Sequence, residues 1–520
     1  MSGRLFKSTA IVSVNTFLSR ISGLIRDVVF ARFFGADAAT DAFFIAFKIP
    51  NFLRRLFAEG AFAQSFVPVL SEYKTKRSHE EVKLLTQQVT GTLGVILFLV
   101  TAAGILASPL LVMVFATGYI DDQPKVDLTA QMLRITFPYI LFISLTALAG
   151  GILNTYGKFA IPAFTPVLLN LCMIGTAIWL APLMEKPIVA LAWGVFLAGV
   201  VQLAFQIPFV RQLKLLSWPK WGWRDPGVTK IRTLMIPIIF ASSVQQLNLL
   251  FDVWIASFLA AGSISWLYYA DRLVEFPFGV FGVALATVIL PSLSAKHAEA
   301  DPEKYQHTLD WAMRWVLVIG TPAAVGLIAM SGPLISTIFQ YGQFGEHDFK
   351  MTQWALMAYS IGLLGFIYVK VLSAGFFARQ NTKTPVKIAI RTVGFKMVLT
   401  VIFVVGMLQL NFDGPHVGLA LATAISALFN AWLLLHGMRK EGVYKPEKGW
   451  LLLITRVGVA CVAMVAALFY AFADITMWQD WSAYQRALNL LLWVAIGGAA
   501  YFATLYILRM NFRELLRHKD

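Results

Sequence analysis

Two stretches near the N-terminus decide the fold: residues 8–34 read STAIVSVNTFLSRISGLIRDVVFARFF, and residues 40–59 read TDAFFIAFKIPNFLRRLFAE. Each is long and apolar enough to cross a bilayer, which takes about 20 residues of helix. Yet Arg20 and Arg26 interrupt the first stretch and Arg54 the second. A guanidinium group keeps its charge, and at the bilayer centre it costs roughly 2.5–3.5 kcal/mol on insertion scales. We therefore expect these side chains to face a hydrated interior that holds an anionic ligand.

The composition is that of an integral membrane protein. Of the 520 residues, 58% are hydrophobic and only 14% are charged, whereas soluble domains carry about 25% charged residues. The net charge of +15 does not indicate nucleic acid, because the basic residues are spread over short loops such as 211–232 and 439–448. They gather in alternate loops, and the positive-inside rule then places both termini in the cytoplasm.

The apolar runs predict an all-α membrane protein with about fourteen transmembrane helices. The predicted spans are 8–34, 40–72, 83–115, 128–154, 161–183, 187–210, 230–260, 265–295, 309–339, 349–378, 385–408, 417–438, 449–472 and 484–508.

An internal repeat is visible in the sequence. Residues 27–33 (DVVFARF) recur loosely at 252–258 (DVWIASF), and residues 148–151 (LAGG) recur at 372–375 (LSAG) with nearly the same offset. Six helices separate the copies, so both copies point the same way across the membrane. This predicts two pseudo-symmetric six-helix lobes around a central cavity, plus two extra C-terminal helices. The predicted divisions are 1–220 for the N-lobe, 221–445 for the C-lobe, and 446–520 for the extra helices and a cytoplasmic tail.

Helix 1 of this prediction carries a charged pattern that allows two interpretations. On a regular helix Arg20 and Asp27 share a face, whereas Arg26 lies about 120° from Arg20. Both arginines can face one cavity only if the helix is distorted, and Ser22–Gly23 is the expected place. Alternatively, an Arg20–Asp27 pair locks helix 1 to a neighbouring helix.

Helix 2 carries a polar stripe. Lys48, Asn51, Arg55 and Glu59 follow one another at spacings of three and four residues, so they share one face. Arg54 points about 100° away from Arg55, which leaves one arginine for a ligand and the other for protein contacts. Mutual neutralisation of Arg55 and Glu59 at a cytoplasmic mouth is an equally good interpretation.

In the second half of the chain, Arg272 is the arginine placed deepest in an apolar segment. Asp271 and Glu275 lie next to it on the same helix. We favour a ligand-binding role for Arg272 over a purely structural ion pair. Lys370, further along, either lines the cavity or extends towards the cytoplasmic surface.

Several sequence motifs resemble those of the MurJ (MviN) lipid II flippases, and the similarity covers essentially the whole chain. The motifs are residues 19–27 (SRISGLIRD), 35–36 (GA), 41–44 (DAFF), 50–62 (PNFLRRLFAEGAF), 268–277 (YYADRLVEFP) and 383–387 (KTPVK).

The resemblance implies a multidrug/oligosaccharidyl-lipid/polysaccharide exporter fold in a bacterial inner membrane. The implied activity is flipping of lipid II, which is undecaprenyl-pyrophosphate-linked MurNAc-pentapeptide-GlcNAc, from the cytoplasmic to the periplasmic leaflet. The cationic cavity would bind its pyrophosphate, and a groove at helices 13 and 14 would hold the polyprenyl tail. The predicted substrate-binding residues are Arg20, Arg26, Arg54, Arg272, Asn51 and Ser265. The predicted supporting or gating residues are Asp27, Asp41, Arg55, Glu59, Asp271, Glu275 and Lys370.

The sequence contains no Walker A motif, nucleophile elbow or HExxH motif, so we expect a transporter rather than an enzyme. We expect no cofactor and no metal site, with coupling either to the membrane potential or to a monovalent ion. The expected partners are lipid II, membrane lipids and cell-wall synthesis proteins. Three alternatives stay open: a flippase for another polyprenyl-linked glycan such as an O-antigen or capsule unit, a drug antiporter, and a scaffold that only recruits cell-wall enzymes.

Overall fold

The computed structural model describes residues 2–55, 61–299, 301–472 and 475–510. Within these ranges the chain forms α-helices joined by short turns, and no strand is present. The α-helices are α1 (Ser2–Phe34), α2 (Ala38–Arg54), α3 (Ala63–Lys76), α4 (His79–Leu106), α5 (Ser108–Phe115), α6 (Gln123–Thr136), α7 (Tyr139–Thr155), α8 (Ala160–Gly175), α9 (Val189–Gln212), α10 (Pro226–Ala256), α11 (Ser263–Pro277), α12 (Val283–Ala298), α13 (Pro302–Ala329), α14 (Ser331–Ile338), α15 (Glu346–Ile361), α16 (Leu363–Ala378), α17 (Lys383–Gln409), α18 (Val417–Lys440), α19 (Trp450–Phe472), α20 (Thr476–Asp480) and α21 (Ala483–Ile507).

Eleven helical segments in the described part of the chain are long and apolar enough to cross a membrane. They coincide with eleven of the fourteen predicted spans, so the chain is an all-helical, multi-pass membrane protein. The other three predicted spans fall on α1, on α2 with α3, and on α10. The count of fourteen stays a prediction.

Six of the predicted spans each fall on two α-helices rather than one. Two of these are span 40–72, with α2 and α3, and span 265–295, with α11 and α12. Span 83–115 divides into α4 and α5, where Pro109 occupies the first turn of α5. Span 128–154 divides into α6 and α7 at Pro138, which precedes the first residue of α7. Proline lacks the N–H that would continue the hydrogen bonding of the preceding helix. Spans 309–339 and 349–378 also divide in two, into α13 with α14 at Met330 and into α15 with α16 at Gly362.

The helix lengths repeat in the two halves of the chain. Helices α4 and α13 both have 28 residues, and each is followed at once by an eight-residue helix, α5 or α14. Helices α9 and α18 both have 24 residues. An internal duplication predicts such a repetition of lengths in the same order.

The chain divides into two compact units, Met1–Ser265 (unit 1) and Trp266–Asp520 (unit 2). An apolar core in unit 1 joins α3, α4, α7 and the start of α10 through Phe66, Leu85, Leu153 and Ile231. In unit 2, α19 packs against α21 and α13 around Val457, Trp478 and Tyr501. Helix α10 thus packs within unit 1, and the lobe boundaries after residues 220 and 445 stay predictions.

Candidate substrate-binding site

Arg26 is buried between α1 and α8. Its Nε and Nη2 donate to Asp27 Oδ1 at 3.0 and 2.7 Å, and its Nη1 donates to Asn170 Oδ1 at 3.0 Å. The side chains of Arg26 and Asp27 are 6% and 1% exposed. Asp27, which shares a helical face with Arg20, is therefore bound to Arg26 instead. This pairing neutralises the Arg26 charge inside unit 1.

Asn170 connects α8 to the same part of α1. Its Nδ2 donates to Ser22 Oγ at 2.9 Å and to the Ser19 carbonyl at 3.2 Å. Helix α1 runs without interruption through Ser22 and Gly23, so no break in the helix appears at the expected place. Arg20, three residues before Gly23, is exposed and has no hydrogen-bond or ion-pair partner in the described part of the chain.

The last turn of α2 holds the second arginine group. Arg54 Nε donates to Asn51 Oδ1 at 2.9 Å, and both side chains are half-buried. Asn51 therefore orients Arg54, as the spacing of three residues between them allows. Arg55 is exposed and follows the last residue of α2. Glu59, its predicted partner, lies outside the described residues.

Asp41 holds the start of α11 in place. Its two carboxylate oxygens accept hydrogen bonds from Gly262 N at 2.7 Å, Ser265 N at 2.8 Å and Ser265 Oγ at 2.6 Å. Both side chains are buried. A carboxylate at a helix N-terminus accepts hydrogen bonds from free backbone N–H groups, and the helix dipole stabilises its negative charge. The hydroxyl group of Ser265, which was predicted to bind substrate, thus donates a hydrogen bond to Asp41.

In unit 2, Arg272 forms an ion pair that stays accessible. Its Nη1 lies 2.7 Å from Glu275 Oε2, and its Nη2 donates to the Tyr268 hydroxyl at 3.2 Å. The side chains of Arg272 and Glu275 are 34% and 52% exposed. Asp271 is also exposed. Lys370 is exposed as well, with its Nζ 5.9 Å from the centre of the Phe278 ring.

The structure therefore brings the predicted residues together in local groups. Arg26 is grouped with Asp27, Arg54 with Asn51, Ser265 with Asp41, and Arg272 with Glu275. The joining of these groups in one cationic chamber stays a prediction, as does the ligand role of each residue. The described residues contain no group of three or more His, Cys, Asp or Glu side chains that could hold a metal ion.

Arg486, near the start of the predicted span 484–508, was given no role in the sequence analysis. The side chain is buried and donates to four backbone carbonyl oxygens and packs on the Tyr341 ring. The acceptors are the carbonyls of Ser336, Gln340, Gln479 and Trp481, at 2.7–3.2 Å. Because the acceptors are backbone atoms, no side-chain pattern could have indicated this site.

Asp310 in α13 was also missed. Its carboxylate accepts hydrogen bonds from Arg314 Nε at 2.6 Å, from the Tyr444 hydroxyl at 2.6 Å and from Trp450 Nε1 at 2.8 Å. Burial, and then the hydrogen bond to Asp310, raise the pKa of the Tyr444 hydroxyl, so it stays a donor. These contacts fasten the loop between α18 and α19 to α13. The pair Asp310–Arg314, four residues apart in an apolar helix, was the available signal.

Comparison with known proteins identifies the family. A family model described as "Lipid II flippase MurJ" matches residues 30–491. The chain belongs to the MurJ family. A probable lipid II flippase MurJ of Vibrio cholerae is 47% identical, covering 99% of this chain and 98% of the relative. The lipid II flippase MurJ of Burkholderia cenocepacia is 40% identical, covering 99% of both chains.

Two solved structures resemble this chain: one is a member of the same family, and the other shares the fold. A lipid II flippase MurJ in an inward closed conformation superposes with a TM-score of 0.79 at 29% identity, covering 98% of this chain and 100% of that structure. An inward-facing multidrug resistance MATE transporter of the MOP superfamily gives a TM-score of 0.63 at 15% identity, covering 84% and 98%. The MATE likeness concerns the fold alone.

Proposed function

We propose that this chain flips lipid II from the cytoplasmic to the periplasmic leaflet of a bacterial inner membrane. The observation that carries the proposal is membership of the MurJ family over nearly the full length, with relatives named lipid II flippases. Both termini lie in the cytoplasm, and about fourteen helices form two lobes around a cationic cavity. Transport proceeds by alternating access.

Accessible guanidinium groups support pyrophosphate binding. Bare pyrophosphate in hydrocarbon would lose its hydration at a cost of tens of kcal/mol by Born arguments, whereas guanidinium groups match phosphate oxygens with paired donors. Arg20 is exposed, Arg54 is half-buried, and Arg272 is about one-third exposed. We assign direct ligand contacts to these three arginines. Arg26, already bound to Asp27, contributes by holding α1 against α8.

The membrane potential provides a driving force without ATP. An inside-negative potential favours outward movement of an anion by roughly 2.3 kcal/mol per charge for each 100 mV. Lipid II carries its charge mainly on the pyrophosphate and peptide, so even a modest potential biases export. A monovalent ion is the second candidate for coupling.

A cavity in unit 2 supports binding of the polyprenyl tail near α19. Its volume is about 490 Å³, and its lining is mostly apolar, contributed by α13, α14, α15 and α19. Val325, Met357 and Val465 are among the lining residues. This places apolar space beside the first of the two extra helices, where the tail is expected.

The test is a leaflet-exchange assay with the purified chain in vesicles, comparing lipid II with an O-antigen-type polyprenyl-linked glycan. We expect lipid II to exchange faster. Arg272→Ala should lower lipid II exchange about tenfold or more, because a charge-assisted hydrogen bond contributes about 1.5–3 kcal/mol. Arg379→Ala is the matched control, since Arg379 also pairs with a glutamate at 2.8 Å but lies outside the predicted cavity.

Each adverse result in this assay identifies the failed step. Faster exchange of the O-antigen glycan would leave a flippase but overturn its substrate. Exchange of neither lipid, by a protein that is folded by circular dichroism, would favour the scaffold alternative. Equal loss in Arg272→Ala and Arg379→Ala would remove Arg272 from the ligand site.

A further inference from the structure

The loop between α9 and α10, residues 213–225, exposes an unusual amount of aromatic surface. Trp218 is 89% exposed and Trp221 59% exposed, and Trp223 and Leu216 are exposed as well. Trp221 and Trp223 stack with ring centres 6.0 Å apart. Such a patch marks an interaction surface, and tryptophan is enriched where membrane meets water. We call this segment the tryptophan loop.

Basic side chains alternate with the tryptophans. Arg211, just before the loop, and Lys214, Lys220 and Arg224 within it are exposed. None of the four side chains has an ion-pair or hydrogen-bond partner among the described residues. The neighbouring carboxylate of Asp225 is already bound to Gly227 N and Val228 N at the start of α10. The loop therefore presents uncompensated positive charge together with apolar surface.

The conformation of the tryptophan loop is fixed by α4. Lys220 N donates to the Gln87 carbonyl at 3.1 Å, and Gly222 N donates to Thr92 Oγ1 at 3.0 Å. A Cβ at Gly91 would lie 2.2 Å from the Lys220 carbonyl oxygen, so the loop backbone rests directly on the helix. The loop is thus held by its backbone and by Leu215, which is buried in the unit 1 core, while Trp218, Trp221 and the basic side chains stay exposed to a partner.

The place of contact on α4 gives the loop its depth relative to the membrane. Towards the helix start, the charged residue Glu80 is exposed and Glu81 is half-buried. Towards the other end, Val95 and Phe98 are exposed and apolar. At 1.5 Å per residue, the middle of the contact region 87–92 lies about 13 Å from the glutamates and about 10 Å from Val95 and Phe98. A level between the charged and the apolar end of this helix corresponds to the lipid headgroups, which occupy about 5–8 Å on each side of the hydrocarbon core.

We propose that the tryptophan loop docks on anionic phospholipid headgroups of the adjacent leaflet. The indole rings lie among the glycerol and carbonyl groups, and the four cations lie against lipid phosphates. Each lysine or arginine near an anionic surface strengthens binding by about fivefold, whereas a zwitterionic headgroup has no net charge to attract it. This lipid site is separate from lipid II binding and does not depend on it.

The full chain in nanodiscs provides the test. Two sets of nanodiscs contain phosphatidylcholine and phosphatidylglycerol in the same ratio. In one set part of the phosphatidylcholine is brominated, and in the other an equal amount of phosphatidylglycerol is brominated, so that bromine quenches tryptophan next to that lipid. We expect brominated phosphatidylglycerol to quench tryptophan fluorescence more than brominated phosphatidylcholine does. The double variant W218F/W221F should lose most of this excess quenching. Raising the salt to about 1 M should also collapse the excess, because charges are then screened within about 3 Å.

Charge variants separate specific binding from net charge. Replacing Lys214, Lys220 and Arg224 together by glutamine should reduce the excess quenching at least threefold. The control replaces three other exposed lysines by glutamine, namely Lys440, Lys445 and Lys448, and should retain it. Equal quenching by the two lipids, an excess that survives W218F with W221F, or equal losses in both triple variants would overturn the proposal.

Discussion

Arg26 in unit 1 and Arg486 in unit 2 are both buried, but different groups compensate their charges. Arg26 donates to the carboxylate of Asp27 and to the side-chain amide of Asn170. Arg486 donates to four backbone carbonyl oxygens, and no carboxylate pairs with it in the described part of the chain. The first group is neutral as a whole, whereas the second keeps a positive charge.

The difference follows from what surrounds each side chain. The carbonyl acceptors of Arg486 lie at or just beyond the C-terminal ends of α14 and α20, where the helix dipole favours a cation. Arg26 lies in the middle of α1, where backbone carbonyls are already used within the helix. It therefore needs side-chain partners. Burial of an arginine thus says little about ligand binding, because the partners of its guanidinium group determine whether the charge is available to a ligand.

Removal of the Asp27 charge should have the largest effect. Asp27→Asn leaves Arg26 buried without its carboxylate, and breaking one side of a buried ion pair costs about 3–5 kcal/mol. We expect a large fall in the thermal unfolding temperature in detergent. Asp121→Asn removes the same charge from an exposed loop residue and should leave this temperature unchanged.

A double variant sharpens this result. Replacing Arg26 by Met together with Asp27→Asn removes both charges and should recover a good part of the lost stability. If the double variant were less stable than Asp27→Asn alone, the guanidinium would have a stabilising role that does not depend on the carboxylate.

Arg486→Met should have the next largest effect, about 2–3 kcal/mol. It leaves buried carbonyl oxygens without donors, and each unsatisfied polar group costs about 1–3 kcal/mol, partly relieved by relaxation. Arg486→Lys should recover only a small part, because one ammonium group cannot reach carbonyls on several chain segments. Unfolding temperature is the measurement, with Lys186→Met, an exposed basic residue, as control. A lysine variant as stable as the original would show that charge alone matters here.

Much of the fold follows from the apolar runs. Eleven predicted spans coincide with membrane-length helices, because twenty apolar residues in a row have few other stable conformations. The internal breaks at Ala107 and Pro138 were missed, since hydropathy does not change there. The contacts of α10 with α2, α3, α4 and α5 could not be predicted either, because sequence order does not tell which neighbours a helix contacts.

The candidate site was predictable in its residue types but not in its pairings. Arg26 and Asp27 are adjacent, and adjacent residues point about 100° apart on a helix, so their contact depends on side-chain flexibility. Asn170, which also binds Arg26, is 144 residues away. The bond between Asp41 and Ser265 spans 224 residues. Such pairings arise from tertiary packing, which local spacing does not encode.

Asn170→Ala should have the smallest of these effects on stability, because it removes hydrogen bonds but no charge. The amide accepts from Arg26 and donates to Ser22 and to the Ser19 carbonyl. Hydrogen bonds between membrane helices contribute on average about 0.6 kcal/mol each, so we expect a loss of about 1–2 kcal/mol. The measurement is again the unfolding temperature in detergent.

The control for this variant is Asn154→Ala, an exposed asparagine near the end of α7, which should change little. A loss for Asn170→Ala as large as that for Asp27→Asn would contradict the ranking. It would mean that the amide, rather than the carboxylate, is the main compensation for the Arg26 charge. The α1–α8 contact would then resemble the carbonyl-bound site of Arg486, where neutral oxygens alone stabilise a buried cation.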